Sequence, residues 1–192
     1  GSAAHAEGDR GRVVTLAFLP GFEPKPVTMN RAVFSPCEMY RYTLTREGLG
    51  GTGTVVFIGL NPSTATADVS DPTVTRCTNF ARAWGAERYV MVNLFAWRDT
   101  DPRGLLKVAD PVGPSNNVAI LAETMDAKHV VAAWGSHAFL RERLLSARVA
   151  EVCGMLAKHG VDLQCLGTAK DGQPRHPLYL PSNSVLRPWR RP

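Results

Sequence analysis

Val55-Val56-Phe57-Ile58-Gly59-Leu60-Asn61-Pro62-Ser63-Thr64 opens as an unbroken apolar run and turns polar at Asn61. An apolar run of this length without alternation reads as a strand covered on both faces, as in a parallel sheet. Pro62 fixes the exit of the chain and biases Asn61 away from helical angles. The stretch therefore predicts a buried strand whose carboxyl end presents a carboxamide. On its own, Asn-Pro is also an ordinary turn.

Similar runs follow at Tyr89–Leu94, His129–Trp134 and Leu163–Leu166, separated by helical segments. Asp71-Pro72 reads as an N-cap with proline at the first helical position, and Gly85 closes that helix. Ser115 or Asn116 caps a second helix through Ala127. Ser136 caps a third that ends near Gly160. Strands alternating with helices predict an α/β domain: a three-layer α/β/α arrangement around a central, mainly parallel four-stranded sheet. Val13–Phe18 and Tyr40–Thr45 read as strands added N-terminally, the latter as an edge strand. Residues 1–36, rich in Pro and Gly, read as an extended lead-in, and residues 37–192 as a single domain.

The chain of 192 residues is long enough to bury a sizeable core. No apolar run is long enough to span a bilayer, and the first residues lack the basic and apolar regions of a signal peptide. Cys37, Cys77, Cys153 and Cys165 form no Cys-x-x-Cys pair. They read as reduced, mostly buried thiols of a cytoplasmic protein, with an iron–sulfur cluster as the alternative. Neither a metal-hydrolase spacing nor a Gly-x-Ser-x-Gly elbow occurs, so no metal and no cofactor is expected. The net charge of +5 favours polyanionic partners, nucleic acid above all. No membrane and no obligatory protein partner is implied. The end Arg187-Pro188-Trp189-Arg190-Arg191 reads as either a phosphate-contacting arm or a solubilising tail.

The other strand ends are polar too. Asn93 interrupts an apolar run, where a buried carboxamide needs partners from the protein or from a ligand such as a nucleobase edge. Gly135-Ser136 precedes a helix and suits a phosphate. After the last strand come Gly167, Lys170 and Arg175-His176-Pro177-Leu178-Tyr179-Leu180-Pro181-Ser182, a Pro-rich loop with one histidine. Four strand ends with Asn, Ser or His beside Gly or Pro suggest one site at a sheet rim.

In order, Gly-Leu-Asn-Pro-Ser, Val-Asn-Leu, Trp-Gly-Ser and His-Pro-Leu-Tyr-Leu resemble the uracil-DNA glycosylase superfamily over residues 54–182. The sequence is also similar to an uncharacterised bacterial and phage family, a domain of unknown function. Its shared stretches are Gly-Leu-Asn-Pro-Ser-Thr-Ala, Asp-Pro-Thr, Val-Asn-Leu-Phe-Ala, Asp-Pro-Val-Gly-Pro and His-Pro-Leu-Tyr-Leu. The glycosylase resemblance implies a monofunctional hydrolase that flips a damaged, mismatched or modified base out of single- or double-stranded DNA. It implies that Asn61 orients water, that His176 stabilises the departing base and that Asn93 reads it. Leu60, Pro62 and Phe80 or Phe95 would complete the base pocket, with Tyr40 as a further stacking candidate. Ser63, Gly135, Ser136, Lys170, Arg175 and Ser182 would contact the backbone, and Leu178 or Leu180 would wedge the duplex. With Asn at position 61, Asp71 or Asp68 becomes the candidate general base, although Asp71 also reads as a helix cap. Two departures from the superfamily pattern stand out: Ser63 follows the Asn-Pro pair, and Leu178-Tyr179 replaces a Ser-Pro. The alternatives are the same fold acting on a free nucleoside, a nucleotide or RNA, and a non-catalytic nucleic-acid-binding or inhibitory module.

Overall fold

In the computed structural model, which describes residues 30–63 and 71–192, the quoted run is the middle strand of a seven-stranded sheet. The strands are β1 (Asn30–Phe34), β2 (Arg41–Arg46), β3 (Thr54–Gly59), β4 (Arg88–Asn93), β5 (His129–Ala132), β6 (Gln164–Cys165) and β7 (Arg187–Pro188), in the order β1-β2-β4-β3-β5-β6-β7. Helices are α1 (Pro72–Ala83), α2 (Asn116–Thr124), α3 (Ala138–Leu140) and α4 (Ser146–Lys158).

The fold is mixed α/β. Strand β3 pairs parallel with β4 and β5, and β5 pairs parallel with β6. The pairings β1/β2, β2/β4 and β6/β7 are antiparallel. Where the sequence suggested four strands plus N-terminal edge strands, the sheet has seven, with parallel and antiparallel pairings equally represented.

Both faces of β3 are buried, which explains its lack of alternation. Val55 and Phe57 pack with Val74, Cys77, Phe80 and Ala81 of α1. Val56 and Ile58 pack with Ile120 of α2 and with Val149, Val152 and Leu156 of α4. From β3 the chain crosses by α1 to β4 on one side, then by α2 to β5 on the other. That reversal opens a crevice beyond the carboxyl ends of β3, β4 and β5, where open α/β sheets bind ligands.

Several expectations change. Strand β2 is not an edge: all six of its residues are buried, because β1 covers it. The segment read as lead-in therefore contributes the true edge strand, whose exposed residues are Asn30, Arg31 and Val33. Val13–Phe18 lies outside the described residues. Asp71 caps α1 as predicted, accepting from the Val74 amide at 2.7 Å, but Ser115 makes no side-chain cap on α2. The third helix is interrupted: α3 passes through a π-helical turn, Arg141–Leu145, into α4. Cys77 and Cys165 are buried, whereas Cys37 is exposed. Among the described residues no helix is long and apolar enough to cross a membrane.

The C-terminal tail is neither a free arm nor a loose end at Trp189. Arg187–Pro188 pairs with β6, and Trp189 is buried in the core beside Trp134. Arg190 and Arg191 stay exposed.

Candidate functional site

The β3–β4 register sets Gly59 opposite Asn93. A Cβ on Gly59 would lie 2.6 Å from Asn93 Oδ1, so glycine is what leaves room for the carboxamide at the sheet rim. The main chain behind it is held firmly. Asn116 Nδ2 donates to the carbonyls of Asn93 and Leu94, at 3.0 Å each, and Arg148 Nε donates to the Leu94 carbonyl at 2.6 Å. Helices α2 and α4 thereby fix the end of β4.

A cavity of about 180 Å³ opens on this rim. Among the described residues its walls include Gly59, Leu60, Asn61, Asn93, Trp134 and His176. Asn93 is 3% exposed, and its Nδ2 has no hydrogen-bond partner among the described residues. A buried donor left unpaired costs roughly 1–3 kcal/mol, so a binding partner there is worth about that much. Asn61 is the reverse case. Its Nδ2 donates to the carbonyls of Asp99 (2.8 Å) and Pro62 (3.3 Å), which fixes the amide and leaves Oδ1 as an acceptor. The Asp99 amide returns a hydrogen bond to the Pro62 carbonyl at 3.0 Å, so the loop after β4 clasps the Asn-Pro turn.

The two histidines of the cavity hold the same tautomer, protonated on Nε2. His176 Nδ1 lies 3.2 Å from the Leu178 amide and must accept, so the proton sits on Nε2. His137 Nε2 lies 2.7 Å from the Trp134 carbonyl and must donate, which leaves Nδ1 bare. Burial lowers the pKa of both below the ordinary 6.5; at His176 the neighbouring His137 lowers it further, while Asp71 opposes. Both rings are therefore neutral at pH 7. Because the folded values are depressed, the unfolded chain takes up protons first as pH falls. Stability is then complete above the ordinary histidine value of 6.5 and is lost as pH falls from there through the lowered values. Calorimetric scans between about pH 8 and about pH 5 should show a flat melting temperature and then a fall. In His176→Asn the fall should be shallower.

Arg41, on β2, also lines the cavity and is 3% exposed. Burial pulls its guanidinium down to about 10, with Asp71 opposing, so it remains a cation at neutral pH. Asp71 stands on the wall too. Its Oδ1 takes the Val74 amide, and its Oδ2 takes the Ser63 hydroxyl at 2.7 Å.

The site expected from sequence is thus partly assembled. Leu60, Asn61, Ser63, Asp71, Asn93 and His176 share the cavity. Gly135, Ser136, Arg175 and Leu178 line an adjoining groove of about 580 Å³, which shares His137 and His176 with the cavity. The remainder are elsewhere. Phe80 and Phe95 are buried in the cores on opposite faces of the sheet. Tyr40 packs edge-on to Trp97 at 5.5 Å. Pro62 is buried and takes part only through its carbonyl. Leu180 is buried under the Arg76 guanidinium, which donates to its carbonyl and to the Ser182 hydroxyl, so neither Leu180 nor Ser182 reaches the cavity. Lys170 is exposed in the turn between Thr168 and Pro174 and lines neither cavity nor groove. The Ser136 hydroxyl donates to Asp171 at 2.5 Å and the Ser63 hydroxyl to Asp71, so neither hydrogen is free for a phosphate. Asp68 lies outside the described residues.

Arg41, Asp99 and His137 were not anticipated. A charged residue opening an otherwise strand-like run was the available signal for Arg41. His137 directly follows the Gly135-Ser136 pair that had been singled out.

Fold and site define a mixed α/β domain with a cavity at the carboxyl rim of its sheet. The chain matches, over residues 41–178, the family described as protein of unknown function (DUF1643), and it belongs to that family. The matched segment runs from Arg41 past His176, and so holds every described residue of the cavity wall. No curated protein and no solved structure matches the chain.

Proposed function

We propose that the protein is a monofunctional N-glycosidic bond hydrolase of the DNA glycosylase type, which takes an extruded base into the cavity. The observation that carries this reading is the buried Asn93 Nδ2, without a partner among the described residues, in one cavity with the Asn61 acceptor and the neutral His176 ring. A nucleobase edge supplies the acceptor Asn93 lacks, and a base with the wrong donor pattern leaves Nδ2 unpaired.

Breaking the glycosidic bond leaves the electron pair on the base and positive charge on the sugar. His176 Nε2–H stabilises the departing base without itself ionising. Asn61 Oδ1 accepts a hydrogen from water and holds its oxygen towards the sugar. The carboxylate of Asp71 offsets the sugar's positive charge, and its spare lone pairs can receive the water's proton despite the cap. Basic side chains at the rim would hold phosphates, with a salt-dependent affinity.

Labelled oligonucleotides carrying uracil, mismatched thymine, deaminated purines or modified bases test the reading. The expected result is abasic product from at least one, reduced about 100-fold in Asn61→Ala, where water loses its orientation. Asn93→Leu should also lose product, yet hold or gain stability by about 1–3 kcal/mol, since it removes an unpaired buried donor. No abasic product from any substrate would sink the proposal.

A further inference from the structure

Gly135, with φ of 79°, runs between the two histidines: a Cβ there would lie 3.3 Å from His137 Nε2 and 3.5 Å from His176 Cβ. Each histidine has an aromatic ring beside it. The Tyr179 ring lies 5.7 Å from His176, centroid to centroid, and Phe139 lies 5.9 Å from His137. Both rings are exposed, Tyr179 by 74% and Phe139 by 42%. Large exposed aromatics are unusual on a protein surface unless something lies on them.

Charge accompanies the rings. The Arg103 guanidinium lies over the Phe139 ring at 5.2 Å, and Arg175 is exposed on the groove wall near Tyr179. The groove runs without interruption into the cavity, since Thr73, Thr100, Pro102, His137 and His176 line both. Tyr179 is prominent for a structural reason. The 3-10 turn Pro177–Tyr179 is pinned by the Leu178 amide on His176, and the burial of Leu180 leaves Tyr179 at the apex.

We infer that this groove binds single-stranded DNA, with one base stacked on Tyr179 while its neighbour enters the cavity. The inference rests on the proposed reading for the occupant of the cavity and extends it by naming the strand state of the substrate. The exposed Tyr179 ring and the Arg175 guanidinium on the same groove wall suit an unstacked base and its phosphate, the combination that single-strand grooves use. In a duplex the faces of the bases are already stacked, and extruding one costs a few kcal/mol. A single strand offers both bases without that cost.

Fluorescence anisotropy with a labelled oligothymidylate of about 12 nucleotides tests this, against a hairpin duplex and an RNA of equal length. Tyr179→Ala should weaken single-strand binding about 5- to 100-fold, the loss of one stacked base. Tyr179→Phe, which keeps the ring, should stay within about twofold. Arg175→Ala should lower the salt slope by about one phosphate contact. Tyr179 is exposed, so an unchanged melting temperature in Tyr179→Ala verifies that the fold is intact. In the binding assay, the inference would be overturned by a change under about threefold in Tyr179→Ala, by duplex binding as tight as single-strand binding, or by tighter binding of RNA. Binding needs no bond cleavage. Tyr179-dependent single-strand binding with no released base therefore refutes the glycosylase reading alone, and base release from duplex without strand preference refutes the inference alone.

Discussion

Trp189→Ala is expected to lower the unfolding free energy by about 3–5 kcal/mol, the range for emptying a buried aromatic site. In a chain of this size that is a fall of about 6–20 °C in melting temperature. The side chain is 5% exposed and stands edge-on to Trp134 at 5.0 Å. Its indole donates to the Gly172 carbonyl at 3.0 Å, and its amide donates to the Leu163 carbonyl at 2.8 Å. The substitution removes apolar burial, an aromatic pair worth about 0.5–1.5 kcal/mol, and a partner for the Gly172 carbonyl. Trp134 is also a wall of the cavity and is held by Gln173 at 2.9 Å, so the damage should reach the site. Paired substitution of the exposed Arg190 and Arg191 by Ala should cost no more than about 0.5 kcal/mol at each. Urea titration followed by circular dichroism separates the two cases. A loss below about 1 kcal/mol in Trp189→Ala would mean that the tail is not a clasp.

What the sequence made legible was local. The apolar runs at Val55 and Tyr89 announced strands covered on both faces, and Asp71-Pro72 announced a helix start, because each signal lies within a few neighbouring residues. The polar strand ends at Asn61, Asn93 and His176 were legible for the same reason, and the topology brings them to one cavity. What escaped was set by pairing at long range. Strand β1 lies in a Pro- and Gly-rich stretch and exists because β2 offers it a ladder. Arg41 is buried only because β1 turns β2 into an interior strand. Phe80 and Phe95 looked like stacking candidates by residue type, but the face each occupies is decided by which helix covers the sheet there. Nothing in Leu178-Tyr179-Leu180 indicates which residue stands out. That depends on Arg76, a hundred residues earlier in the chain, drawing down the Leu180 carbonyl.

If the cavity cleaves a glycosidic bond, His176→Ala should lower the turnover rate about 10²- to 10³-fold, the effect of removing one donor aimed at developing negative charge. The loss should fall on kcat rather than KM, because charge on the base builds only in the transition state. The structure adds a constraint on pH. His176 acts through Nε2–H while Nδ1 accepts from the Leu178 amide. Protonating Nδ1 removes that acceptor and frees the turn that carries Tyr179. Burial lowers the pKa of this ring, with His137 lowering it further. The wild-type rate should therefore be flat at and above the ordinary histidine value of 6.5 and fall only below it. In His176→Gln an amide can still donate, so part of the rate should return, but the acid limb should disappear with the titrating ring. A wild-type acid limb centred above 6.5, or one that persists unchanged in His176→Gln, would show that a different group governs the departure of the base.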